Sequence, residues 1–600
     1  MTYIGYPAGE VGYTGETHDR RSIGKLSCDR PVLIDDICRI DPLPGAAVEL
    51  HRPAVRKLNG RLVGRKDRVT GRVRDGIGRP VRALSTVLIV ATLSVAGCGG
   101  TNTGAPNPAP TDKVLHLSFL QDPGQPPDPD VYYAGQGLLL TTNLYEGLLQ
   151  YKGATPQPEL EPLLATEWTE SPDHKVFTFK LRQGVKFHDG TPFTSAAVKA
   201  SFDRRLAVNQ GPAYMVKDVD SVTVQGDYAV TITLKGPNSA FLDYLACPYA
   251  PRMLSPTGLQ KYSGSDNAQQ YLTTHDLGTG PFTLTDAHVG SHYAMAAFAD
   301  YWGSKPFFTS VDIPVITDAS AQQLQFNTGQ IAAILHDLPS SAVESYLNNA
   351  KYSHYSLPAM MSNYLYLNSH KGILTNQADR SAVLQAIDVD TLVRQTYFGR
   401  GKKADQVYPP NMIAPGFARQ SINHDPSVLA KVVAGLPADQ KTMTIGYDSS
   451  NPDNQLVSNL IQTQLASAGI SAKVQSYPTS QIYGWVGTDE ATAPDIFTYE
   501  VWPDAPSPYT WGHISFDPDG GINFLNCSSP PITAALADGL KTASPQSFSD
   551  AAHFATDTGC WMNLADIDDF MVAQPWLKGV EQAHVVSTPN SLQLAALSVG

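Results

Sequence analysis

Cys98 is the residue whose neighbours point most directly to a chemical event. Arg72, Arg74, Arg79 and Arg82 precede an apolar run from Ala83 through Ile89 to Gly97 that is too short to cross a bilayer, and small residues close it. The junction Val95-Ala96-Gly97-Cys98-Gly99 has the layout of a bacterial lipobox, in which cleavage leaves the cysteine first and its sulfur carries a diacylglycerol. Basic flank, small residues and cysteine together favour export over a short buried helix. Each buried acyl methylene contributes roughly 0.8 kcal/mol, and stable attachment needs more than one chain, which a multiply acylated Cys98 supplies.

The other cysteines, Cys28, Cys38, Cys247, Cys527 and Cys560, form no C-x-x-C pair and no Cys/His set at zinc spacing, so no metal and no cofactor is expected. In an exported body Cys527 and Cys560 either close a disulfide in the C-terminal third or remain two buried thiols, leaving Cys247 alone. No Gly-x-Ser-x-Gly elbow, His-Glu-x-x-His pair or phosphate loop is present, so the chain reads as a binder and not an enzyme. The formal net charge is −13, and Lys and Arg exceed Asp and Glu by 16 to 10 ahead of Cys98, so the remainder is more acidic than the whole. Nucleic-acid phosphates would repel such a body. One loop, Trp502-Pro503-Asp504-Ala505-Pro506-Ser507-Pro508 with Tyr509 and Trp511 behind it, sets a carboxylate among aromatic faces, an arrangement that serves a binding pocket or plain core.

A mixed α/β scaffold has to position that loop. Leu115–Leu120 alternates like a strand, and Leu138–Leu149 reads as a helix closing on Tyr145-Glu146-Gly147-Leu148-Leu149. Val176–Leu181, Val222–Val224 and Ala229–Leu234 alternate as half-buried strands, with Gly226-Asp227 turning between the last two. Helical stretches are predicted at Ser195–Ala207 with Thr194 as N-cap, at Ser320–Thr328 capped by Gly329, and over the longer Arg380–Tyr397. Thr442–Tyr447, Gln455–Ala468 closed by Gly469, and Ser471–Ser476 follow as strand, helix and strand.

Export signals begin at the translational start, whereas this one lies far inside the chain. Residues 1–72 are therefore expected to be an over-extended start outside the mature protein, with initiation at a Val codon such as Val69, Val73 or Val81. Residues 73–97 are then a lipoprotein signal peptide. Residues 98–111, rich in Gly, Pro and Asn, form a flexible tether that keeps the body outside the cytoplasm, anchored to the cell membrane by acylated Cys98.

The strongest motif block runs Pro162-Leu163-Leu164-Ala165-Thr166-Glu167-Trp168, Asp173, Phe177-Thr178-Phe179-Lys180-Leu181-Arg182 and Gly184-Val185-Lys186-Phe187-His188-Asp189-Gly190-Thr191-Pro192-Phe193-Thr194. In chain order come Asp128-Pro129, Tyr145-Glu146-Gly147-Leu148, Gly278-Thr279-Gly280-Pro281-Phe282 and Asp300-Tyr301-Trp302-Gly303-Ser304-Lys305-Pro306. They are followed by the Arg380–Asp390 block and Ile461–Ile470. From about Asp112 onward the chain resembles the family 5 extracellular solute-binding proteins, the dipeptide- and oligopeptide-binding receptors of ABC importers. It departs from the family at Val389, where Arg is usual. Read physically, most of these landmarks are structural: Trp168 and Phe179 are core, Gly190 needs positive φ, and Gly278–Pro281 is a close chain crossing.

The resemblance implies an α/β, two-lobed periplasmic-binding-protein-like fold of the large peptide-binding class, with an extra subdomain in the first lobe. Residues 112–150, 275–378 and 576–600 are expected in the first lobe, 151–274 in the extra subdomain and 379–575 in the second lobe. It further implies a monomer that captures a peptide between the lobes and hands it to an importer's permease and ATPase, with no nucleic-acid partner. In the family an Asp four residues before a Pro receives the peptide α-ammonium. Asp504 and Pro508 keep that spacing, with Trp502 one residue closer than usual. Tyr133 falls by register where the family approaches its ligand, and Trp502, Tyr509 and Trp511 are expected to line the pocket. The same fold also carries oligosaccharides, haem or metal chelates, or serves surface regulation of envelope assembly, and those alternatives stay open beside peptides.

Overall fold

Alternating apolar residues in 176–234 can bury only one face as strands, and they do so in a four-stranded antiparallel sheet. A computed structural model of the chain describes residues 106–600 apart from 336–337, 414–416, 418–421, 489–491 and 590. The expected start region, signal peptide and Cys98 lie outside the described residues. In that sheet Val176–Leu181 lies between Ala165–Glu170 and Ala229–Leu234, with Val219–Val224 at the other edge. The register opposes Phe177 to Ile232 and Phe179 to Val230, and all four side chains are buried. Phe179 is core as expected, whereas Trp168 is half-buried at the margin of the same cluster. Gly190 and Gly226 both adopt the positive φ their turns need, +84° and +67°.

The helix Ser195–Val208 covers this sheet. Thr194 is its N-cap residue but makes no side-chain capping bond, and Asn209 ends it in the left-handed region at φ +48°. Adjacent Arg204 and Arg205 on this helix are buried against two carboxylates. Arg204 grips Asp128 through Nη1 and Nη2 at 2.8 and 2.6 Å and reaches Asp130 at 2.6 Å; Arg205 Nε donates to Asp130 at 2.8 Å. The rest of the Arg205 guanidinium caps the carbonyls of Pro129, Tyr249 and Ala250. Burial pushes the Asp128 carboxyl above its ordinary value despite Arg204, as expected where desolvation competes with pairing.

A second four-stranded sheet runs Val114–His116, Ser310–Pro314, His292–Ala297 and Phe282–His288, its first pair parallel and the others antiparallel. Against it packs the helix Leu138–Leu144. That helix is shorter than the expected Leu138–Leu149. Tyr145 turns extended, at φ −128° and ψ 147°, and Glu146 is drawn out of helical register by donors from Thr279, Tyr301 and Trp302. Gly278 and Gly280 cross the helix end so closely that a Cβ would lie 2.0 Å from Leu144 O and 2.4 Å from Asn143 O.

The third sheet is mixed, in the order Ala333–Ile334, Trp561–Ala573, Ser353–Leu367, Ile496–Val501, Thr442–Asp448 and Ser471–Tyr477, with Gly401–Lys403 paired to Trp561–Ala573. Its two long strands pair antiparallel from Ser353 opposite Ala573 to Tyr366 opposite Trp561, with register breaks between Leu357 and Met361 and between Asn363 and Tyr364. The start of Ser353–Leu367 and the end of Trp561–Ala573 pack with the second sheet, through Tyr355, Leu357, Met571 and Ala573, whereas Met361, Leu365, Met562 and Leu564 pack in the cluster around helices Gln377–Gln385 and Val389–Tyr397. The strand Ser353–Leu367 thus passes from one hydrophobic cluster to another along its length. Helix Gln377–Gln385 and helix Val389–Tyr397 replace the single helix expected over 380–397. Asp388 divides them: its carboxylate accepts from Thr391 N at 3.0 Å and Thr391 Oγ1 at 2.7 Å, starting a new helix. Cys527 and Cys560 are joined in a disulfide, and Cys247 is a buried free thiol.

Arg204→Met strands the buried Asp128 carboxylate and leaves Asp130 with Arg205 alone. It is expected to lower unfolding free energy by about 3–5 kcal/mol; a loss under about 1 kcal/mol in urea titration would show that this network does not hold the subdomain to the 125–137 segment.

Candidate functional site

Asp504 sits in the loop between strand Ile496–Val501 and helix Pro508–Phe516, where Pro508 occupies the first helical turn and Ser507 is the N-cap. The strand ends, the loop's prolines deny it ladder hydrogen bonds, and the chain leaves its own lobe. Ala505 is fully buried within the hydrophobic cluster built around the 165–234 sheet, beside Tyr133, Tyr244 and Tyr249. The loop is therefore a plug from one half of the molecule seated in the other.

That plug brings the Asp504 carboxylate, 8 % exposed, to two phenols. Tyr214 OH donates to Oδ2 at 2.8 Å, and Tyr133 OH donates to the same oxygen. Burial first, and the Asp504 charge second, push both phenols well above the ordinary tyrosine range, so both remain protonated donors. Tyr133 is braced by its own backbone N–H, which donates to Gln125 Oε1 at 2.8 Å, and by the edge of Tyr249 at 5.0 Å. Tyr249 OH in turn donates to Ala134 O at 3.0 Å. The second oxygen, Oδ1, accepts no hydrogen bond from the described residues.

The aromatic residues of the loop have separate fates. Trp502 is half-buried and lies close to Tyr249. Tyr509 is half-buried, stacked on His513 with centroids 5.6 Å apart, and touches the clusters of both halves. Trp511 is fully buried, its ring 5.2 Å from Tyr364 within the core below the third sheet. Trp511 thus serves as packing, and Tyr214 takes a place beside Asp504 that no sequence signal marked.

A cavity of about 410 Å³ opens near the same strand. Glu500, four residues before Asp504, lines it with Gln121, Thr317, Met361, Arg400 and Asp453, so both halves contribute walls. Arg400 Nη2 donates to Asp453 Oδ2 at 2.5 Å and to Ser340 Oγ at 2.6 Å, and the Ser340 hydroxyl donates to Asp453 Oδ2 at 2.5 Å. This volume falls in the usual range for small-ligand sites, and its walls combine apolar faces with charge of both signs. Such an arrangement suits a small polar solute.

Asp504 is thus completed by tyrosines from a distant part of the chain, and Glu500 of the strand before it lines a cavity of ligand size. Residues 159–523 match the model of the bacterial extracellular solute-binding proteins, family 5 (middle region). The chain belongs to that family, the solute-binding proteins of ABC importers, and it has their two-lobed α/β fold. The probable D,D-dipeptide-binding periplasmic protein DdpA of Escherichia coli K12 is 29% identical over 474 residues, covering 77% of this chain and 90% of that protein. The glutathione-binding protein GsiB of Salmonella typhi is 29% identical over 415 residues, covering 67% and 78%. Among solved structures, Helicobacter pylori DppA in complex with peptide STSA aligns with a TM-score of 0.69 at 22% identity, over 81% of this chain and 98% of that one. Brucella suis NikA in complex with Fe(III)-EDTA aligns at 0.71 and 24%, over 81% and 100%. Among the described residues no helix is long and apolar enough to cross a membrane.

Replacing Tyr133 and Tyr214 together by Phe keeps both rings but removes both bonds to Asp504. The double variant is expected to open, read as a larger radius of gyration in small-angle scattering of ligand-free protein; an unchanged radius would mean these bonds do not hold the lobes together.

Proposed function

We propose that this protein is a lipid-anchored receptor that captures short peptides between its lobes and delivers them to an ABC importer. The observation that carries the reading is the half-satisfied Asp504 carboxylate: two phenols hold Oδ2, and Oδ1 is left to accept from a ligand's α-ammonium. A buried ammonium without an acidic partner costs several kcal/mol, so a carboxylate in this place selects ligands with a free amino terminus. The backbone of an extended peptide then hydrogen-bonds as an added strand would, and the cavity bounded by Met361, Arg400 and Glu500 receives the remainder. The dipeptide- and glutathione-binding relatives, and the STSA-bound neighbour, support small peptide-like ligands.

The lobes in this reading are 112–150, 275–378 and 576–600 for the first, with 151–274 as its subdomain, and 379–575 for the second. Closure is a population shift that the ligand drives by binding the closed form more tightly. Cys98, acylated after cleavage of 73–97, holds the body to the membrane through 98–111, so the receptor acts as a tethered monomer beside its permease.

Calorimetry with short peptides tests the site. Asp504→Ala is expected to weaken binding by at least 30-fold, in line with the roughly 2–5 kcal/mol lost when one partner of a buried charge pair is truncated, while the melting temperature stays near the wild-type value. Unchanged affinity would remove Asp504 from the site. Cys98→Ala is expected to release the protein from the membrane fraction; retention there would exclude acylation as the anchor.

A further inference from the structure

A second cavity, of about 500 Å³, lies away from the cleft. Its walls come from 142–163, 246–252, 281–304 and 585–596, with no contribution from 379–575, so its shape does not depend on lobe closure. Only two of its lining residues are charged, Glu146 and Arg252. Glu146 is already well supplied with donors: Tyr301 OH reaches Oε1 at 3.0 Å, while Thr279 Oγ1 and Trp302 Nε1 reach Oε2 at 2.8 and 3.0 Å.

Arg252 is in the opposite condition. It is 5 % exposed and forms no ion pair with any described residue. Nη2 donates to the carbonyls of Cys247 and Pro248 at 3.0 and 2.8 Å, Nε is sealed in without an acceptor, and Nη1 makes no hydrogen bond with a described residue. Burial, with the neighbouring charge of Arg205, pulls its pKa down to about 10, and the Glu146 charge in the same cavity offsets this only in part. A guanidinium buried without a partner is costly, and one at the wall of an open cavity is relieved by an anion from solution.

We propose that this cavity is a second ligand site, in which Arg252 receives the carboxylate of a small organic monoanion. Three features define the class. Glu146 in the same cavity repels a second negative charge, which disfavours phosphate dianions. Leu163, Ala246, Val585 and the Trp302 ring offer apolar walls for a hydrocarbon or aromatic body. Thr588, Ser591 and Gln593 add neutral donors for the second carboxylate oxygen.

Thermal unfolding in the presence of benzoate, acetate or phosphate at constant ionic strength tests the assignment. Benzoate is expected to raise the wild-type melting temperature by about 1–3 °C for each tenfold rise above its dissociation constant, acetate and phosphate less. Arg252→Met is expected to abolish the response, and Asp504→Ala to retain it, which separates this site from the cleft. An equal benzoate shift in Arg252→Met, or a larger shift with phosphate than with benzoate, would overturn the proposal. Should Arg252→Met fail to fold, bromide-soaked crystals of the wild-type protein are expected to show anomalous density within hydrogen-bond reach of Arg252 Nη1, and its absence would overturn the proposal equally.

Discussion

The buried knot of Asp128, Asp130, Arg204 and Arg205 is the constraint on which the binding face rests. Four ionised groups removed from water cost a great deal, and only near-complete pairing offsets it. Here Arg204 holds both carboxylates and Arg205 holds Asp130 together with three backbone carbonyls. Because the partners come from 128–130, one helix and 249–250, the knot fixes three separate stretches of chain to one another. Tyr133, Tyr249 and, one turn beyond the helix, Tyr214 ride on those stretches. The tyrosines facing Asp504 are thereby anchored to stretches of chain that the knot fixes together.

The other lobe supplies the carboxylate on a loop that cannot remain in its own sheet. Prolines at 503, 506 and 508 free the chain from ladder pairing and start a helix beyond it. The two long strands of the third sheet, with register breaks near Leu357 and Asn363, pack at one end with the second sheet and at the other with the cluster around helices Gln377–Gln385 and Val389–Tyr397. An interlobe site completed by a plug and joined through two strands is suited to opening and closing as rigid bodies. In the proposed reading recognition and closure become one event, because the phenols that satisfy one oxygen of Asp504 come from the opposite half of the molecule.

The same packing logic accounts for the short helix at Leu138–Leu144. Gly278 and Gly280 pass so close to its end that side chains are excluded, and the strand that follows delivers Thr279 to Glu146. Glu146 is thus supplied with three donors, whereas Arg252, facing the same cavity, holds two carbonyls through Nη2 but has no carboxylate partner among the described residues.

Much of the scaffold was legible in the chain itself. The strands Val176–Leu181 and Ala229–Leu234 fall on their predicted residues because a half-buried strand must alternate, and Gly190 and Gly226 stand where the backbone needs positive φ. The family motif likewise singled out Asp504. Periodicity failed where a local competitor outweighed it: Asp388 capped a new helix inside a continuous helical pattern, and long-range donors unwound the chain at Glu146. Tyr214, Arg400 and Arg252 carried no sequence signal, and Trp511 looked like a pocket wall but is core. Local pattern reports which face of an element is buried; it does not report what meets it. Tyr133 and Tyr214 stand 371 and 290 residues from Asp504, and only tertiary packing decides that three such distant polar groups share one buried site.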